Sequence, residues 1–141
     1  MIFYVVIIMG LNRNEARIKA MTILYQKSLY DKNKISYDIN SIIDENMEEK
    51  DDFVIELVNG VNDNIDKLDS IANKYLGSWP INRLGLTDAN IIRGAIYEML
   101  YTNTDGKIVI NEAIEISKKF SDESVTKIIN GVLDKVYHNE R

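Results

Sequence analysis

Residues Ile108 to Val136 read IVINEAIEISKKFSDESVTKIINGVLDKV, and nowhere else in the chain is the helical pattern so complete. In the second half, Val125, Ile128, Ile129, Val132, Leu133 and Val136 fall at i, i+3, i+4, i+7, i+8 and i+11, an apolar stripe on a helix of 3.6 residues per turn. The first half does the same with Ile110, Ala113, Ile114 and Ser117, and stops at Phe120 before Ser121, Asp122 and Glu123. Two helices therefore meet at a short acidic corner. Ser121 is expected to cap the second helix, with Asp122 and Glu123 in the first turn, where the helix dipole favours negative charge.

Length and composition bound the rest. With 141 residues the chain suffices for one ordinary domain that buries about 68% of its unfolded surface and needs neither metal nor disulfide to hold it. It contains no Cys and a single His, His138, close to the C-terminus. Thiolate nucleophiles, thiolate metal sites and disulfide frameworks are excluded, and a cytoplasmic protein is the expectation. With 22 acidic against 17 basic residues, a net charge of -5 argues against coating nucleic acid indiscriminately. Any RNA or DNA site must be a local basic patch.

The opening Met1-Ile2-Phe3-Tyr4-Val5-Val6-Ile7-Ile8-Met9 is about half the length of a membrane span and lacks the basic region and cleavage site of a signal peptide. Residues 1–11 are read as an appendage, with the first eight reflecting start-site choice and the working domain spanning 12–141. The alternatives are a short extension packed on the domain or a segment that promotes association.

From Asn12 onward the chain reads as helix after helix. Asn12 or Asn14 can cap a segment reaching about Tyr30, with Ala16, Ala20, Ile23 and Leu24 on one face. Ser36 or Asp38 opens a shorter helix through Ile39, Ile42, Ile43 and Met47. A third pattern runs from Phe53 through Val54, Leu57, Val58, Val61, Ile65, Leu68 and Ala72 to Leu76-Gly77, with a break expected near Asp63-Asn64. Trp79 and Pro80 then lie in a connector, and Trp79 is expected to plug the core. Thr87 or Asp88 is expected to cap a helix through Ile92, Ala95, Ile96, Met99 and Leu100. Asn103-Thr104-Asp105-Gly106 has turn chemistry. Nothing alternates with period two for long enough to make a strand, so the expected class is all-α, a compact bundle of about seven helices.

Gly60, Gly94 and Gly131 lie inside helical patterns, where each costs about 1 kcal/mol relative to Ala. Close approach of helix backbones is the usual compensation. Leu57-Val58-Asn59-Gly60-Val61 also resembles Ile128-Ile129-Asn130-Gly131-Val132, which suggests two similar contacts, with chance as the competing account.

No catalytic constellation is found. There is no glycine-rich phosphate loop, no paired His at metal-ligand spacing and no nucleophile elbow. No catalytic residue, metal ligand or cofactor is expected. One feature resists a purely structural account. Arg13 and Arg17 are an i, i+4 pair continuing the line of Ala20 and Leu24, so the apolar stripe turns cationic at the helix start, with Lys19 nearby. Cations there oppose the dipole by roughly 0.3–1 kcal/mol each, an arrangement that suits an anion arriving from outside. The competing reading is an ordinary solvated helix start with Glu15 as counter-ion.

These residues also carry a resemblance. Arg13-x-x-Ala16-Arg17-x-x-Ala20 with Ile23-Leu24-Tyr25, Leu57-Val58-x-Gly60-Val61, Trp79-x-x-x-Arg83-Leu84, Ile92-Arg93-x-Ala95-Ile96-Tyr97-Glu98, Val109-Ile110-Asn111-Glu112-Ala113-x-Glu115 and Asn130-Gly131-Val132-Leu133-Asp134-Lys135 together resemble the NusB family of transcription antitermination factors, from about Asn12 to Tyr137. The resemblance implies a non-enzymatic, all-α protein of bacterial transcription built from two helical subdomains. It implies pairing with NusE, a small-subunit ribosomal protein, and joint binding of single-stranded boxA RNA in ribosomal RNA leaders. Other Nus factors and RNA polymerase would be indirect partners, and no membrane would be involved. Carried over by position, Arg13, Arg17, Lys19, Ser124 and Lys127 would face RNA, Tyr25 and Glu98 would face NusE, and Asn111 and Glu112 would be structural. Family members differ in self-association, so a homodimer that hides the arginine helix is a further expectation.

The chain departs from the family pattern in places. Arg13-Asn14-Glu15 stands where a run of arginines is common, so the basic patch is thin. Ser124 replaces a frequently acidic residue, Ile128 replaces a common aromatic and would not stack on bases, and Asp105 stands where proline is frequent. A domain with about three clustered cations neutralises few phosphates, so a partner that adds its own contacts is expected. Arg13→Ala with Arg17→Ala is expected to leave helicity intact and weaken RNA binding. The alternatives are a NusB-like accessory domain in ribosomal RNA processing that acts in trans, and a helical adaptor without RNA affinity.

Overall fold

The computed structural model describes residues 10–141; the expectations for Met1 to Met9 lie outside them. Seven α-helices and no strand occur among the described residues: α1 Arg13–Lys32, α2 Ile39–Glu45, α3 Asp52–Asp63, α4 Ile65–Leu76, α5 Leu86–Tyr101, α6 Gly106–Phe120 and α7 Glu123–Asn139, with a 3-10 turn at Ile81–Arg83. α5 packs against α1, α3, α4, α6 and α7. Its run Ala89 to Met99 is accordingly almost continuously buried. α1, α2 and α3 pack on one another as one group, and α4, α6 and α7 form the other around the same helix. Leu11, assigned to the appendage, packs against the core.

Most boundaries follow from local chemistry. The Asn12 side chain accepts from the Glu15 N–H and so caps α1. The expected break near Asp63-Asn64 falls on Asn64, which closes α3 and opens α4, its side-chain amide donating back to the Gly60 carbonyl at 2.8 Å. Gly77 ends α4 with φ +69°, a conformation that disfavours any Cβ. Asp105 caps α6 by accepting from the Lys107 N–H.

Four expectations are corrected. Trp79 does not plug the core: it is 57% exposed, while Ile81 on the following turn is 2% exposed and fills that place. Pro80 and the tight 3-10 turn rotate Ile81 inward and leave the indole outside. Ser121 is not the cap of α7. That position falls to Asp122, which makes no side-chain cap bond, and the Ser121 hydroxyl instead donates to Asp88 of α5. Neither Thr87 nor Asp88 caps α5, because the helix starts one residue after Gly85. The glycines also differ. A Cβ on Gly60 would overlap the Tyr97 ring, whereas Gly94 and Gly131 have nothing within 4 Å of that position, so the two similar pentapeptides do not make similar contacts. Ile128, at the margin of its stripe, is 41% exposed.

Candidate nucleic-acid interface

The α1 start presents one cation and holds another back. Glu15 accepts from the Asn12 side-chain amide at 2.5 Å, so its carboxylate serves the cap and not Arg13. The exposed Arg13 guanidinium lies 4.2 Å over the Phe53 ring of α3 and makes no ion pair among the described residues. Stacking on the ring face orients the charge while leaving its N–H edges available. One helical turn on, Arg17 points inward. Its Nε donates to Glu98 Oε1 at 2.9 Å and its Nη2 to Glu98 Oε2 at 2.5 Å, a bidentate pair with side-chain exposures of 10% and 2%. Glu112 of α6 lies 3.8 Å from Nη1 and accepts from Asn14 at 3.1 Å. The hydrogen bond to Glu98 raises the Arg17 pKa beyond its ordinary value, outweighing the burial that would lower it.

Arg17 and Glu98, one expected on the RNA side and the other on the NusE side, therefore neutralise each other across the α1–α5 contact. Sequence reasoning missed this, although the signal was available. Arg17 shares a helical line with Ala20 and Leu24, and Glu98 sits at i+7 from Ile91 within an apolar run. Opposite charges on two buried stripes are stable only if they meet. The expectation that Arg17→Ala is harmless to the fold is revised accordingly, since that change would strand the buried Glu98 carboxylate. Lys19 is half-buried and Tyr25 is 39% exposed, both on α1.

Ser124 and Lys127 are exposed on the opening turns of α7. The corner they occupy is fastened twice: Ser117 and Thr126 share a hydrogen bond at 2.7 Å, and Ser121 bonds Asp88 in the first turn of α5. Phe120, the last residue of α6, is 49% exposed there, preceded by Lys118 and Lys119. An aromatic face is thus presented even though Ile128 supplies none. The corner is not brought against Arg13. It meets α5 at Asp88, whereas Arg17 meets it at Glu98, and that separation along one helix amounts to roughly 15 Å. A single extended strand could touch both; a compact ligand could not.

Residues 14–138 match the NusB family. The transcription antitermination protein NusB of Staphylococcus aureus strain JH9 is 40% identical over 127 residues, covering 89% of this chain and 98% of the relative, and that of strain Newman matches equally. Among solved structures, NusB of T. maritima superimposes with a TM-score of 0.81 at 26% identity, covering 92% of this chain and 93% of the other. A chain in the crystal structure of antitermination factors NusB and NusE in complex with dsRNA gives 0.72 at 28% identity, over 89% and 96%.

Proposed function

The chain belongs to the NusB family, and from that membership we propose that it is a non-enzymatic antitermination factor that pairs with NusE and binds boxA-type single-stranded RNA in ribosomal RNA leaders. It would work in the cytoplasm as part of a complex with other Nus factors on RNA polymerase. The observation that supports this reading best is Arg13, exposed, without an ion pair among the described residues and laid on Phe53 at the positive end of α1. Lys19, Ser124 and Lys127 would complete the phosphate contacts, and Phe120 would supply the stacking face. Arg17 and Glu98 would serve by holding α1 on α5, so that Tyr25 meets NusE from a rigid helix.

The thin cationic track fits a shared task. Each phosphate contact to a single strand contributes about -0.7 to the slope of log affinity against log salt, so three or four contacts give a shallow slope and modest affinity. Joint binding with NusE multiplies that affinity through effective concentration.

Fluorescence anisotropy of a labelled boxA RNA, titrated with this protein, with NusE and with both, tests the reading. The pair is expected to bind more tightly than either alone. Arg13→Ala should weaken binding several-fold and lower the salt slope by about 0.7. Phe120→Ala should weaken it by about 1 kcal/mol and leave the slope unchanged, because stacking releases no counterion. If the pair binds no better than NusE alone, the antitermination reading fails and the adaptor reading takes its place.

A further inference from the structure

Trp79 is the chain's only tryptophan and its most exposed large apolar side chain among the described residues. Its surroundings hold it out firmly. Gly77 turns the chain at φ +69°, Pro80 fixes the backbone at φ −63°, and the buried Ile81 is pinned through its N–H to Asn73 Oδ1 at 2.8 Å. The indole N–H reaches the Arg83 carbonyl at 3.4 Å, so aromatic ring and arginine belong to one small turn. Arg83 is exposed and makes no ion pair among the described residues. The residues that flank it in the turn, Ser78 and Asn82, are polar and exposed.

We propose that Trp79 and Arg83 form a second single-stranded RNA contact, in which a base stacks on the indole and the guanidinium holds an adjacent phosphate. An exposed aromatic and an exposed arginine in one turn, the arginine without an ion pair among the described residues, are the chemistry of sequence-tolerant single-strand binding. The proposal rests on the RNA reading given above and extends its track. The α6–α7 corner is tied to Asp88, and the five-residue step from Arg83 to Asp88 spans at most about 18 Å. A strand crossing the corner can therefore continue to Trp79 within a few nucleotides.

A single tryptophan makes the site its own reporter. Titrating the full chain with an unlabelled ten-nucleotide adenylate RNA should quench Trp79 fluorescence saturably, and Arg83→Ala should weaken that quenching about threefold or more. With fluorescein-labelled RNA of the same sequence, Trp79→Ala should bind about fivefold more weakly by anisotropy, its helicity checked by circular dichroism. Wild-type anisotropy that rises while Trp79 emission stays constant would overturn the proposal and leave the RNA reading standing. No rise in anisotropy with this RNA would overturn the proposal, and none with boxA RNA either would overturn both. Quenching by NusE but not by RNA would assign the patch to a protein and overturn the proposal as well.

Discussion

Glu98→Ala is expected to destabilise the protein by about 3 kcal/mol, the cost of leaving a largely buried guanidinium without its bidentate partner and with only Glu112, 3.8 Å away, to face it. The two side chains are 10% and 2% exposed and border an apolar groove lined by Ala20, Met21, Leu24, Leu57, Ala95 and Val109, so both charges lie largely out of water. Set against a typical total of about 5–15 kcal/mol, such a loss consumes a large share of the stability. Arg17→Ala should be at least as severe, because Glu98 is the more deeply buried of the two and has no second cation among the described residues, whereas Arg17 keeps Glu112 at 3.8 Å when Glu98 is lost. Urea denaturation measures both. A loss below about 1 kcal/mol in either variant would mean that the pair is solvated and that the contact contributes no more than a surface bridge. The double variant Arg17→Met with Glu98→Leu separates fold from function. Replacing both charges by apolar groups of similar volume should recover most of the stability. If that variant still binds boxA RNA with NusE, Arg17 acts by positioning α1; if it folds but does not bind, Arg17 contacts RNA directly.

The same pair shows where the sequence was legible and where it was not. Helical periodicity located every α-helix, because burial of one face repeats every 3.6 residues and each repeat is visible locally. Asn64 and Gly77 were readable as breaks for the same reason: a side-chain amide that competes for the preceding turn, and a residue free to take positive φ. What could not be read locally depended on contacts between distant segments. The resemblance assigned Glu98 to the NusE face, and its partner became visible only when α1 was laid beside it, 81 positions away in sequence. Ser121 looked like a cap until Asp88 was found within reach of its hydroxyl. Trp79 looked like core because of its size, yet the turn of Pro80 and Ile81 decided which of the two apolar residues went in. Arg13 was legible as an anion site, but not its platform, since Phe53 belongs to another helix.

Gly60→Ala should cost about 3 kcal/mol and disturb the same platform. A methyl group there would overlap Cε1 and Cζ of Tyr97, and that ring cannot move aside freely: it is stacked on Tyr101 with centroids 5.0 Å apart and is 9% exposed. Overpacking of this kind is relieved by shifting backbone, so α3 would be pushed off α5. Phe53 lies on α3, two turns before Gly60, and its displacement would remove the ring beneath Arg13. The variant is therefore expected to lower the melting temperature by roughly 12 °C and to weaken RNA binding as well. Gly94→Ala and Gly131→Ala are the controls. Neither position has a neighbour within 4 Å of an added Cβ, and each lies inside a helix, so each should gain up to about 1 kcal/mol from helix propensity alone. Calorimetry on the three variants provides the check. If Gly60→Ala melts with the two controls, the α3–α5 approach is looser than described, and Arg13 owes its orientation to something other than Phe53.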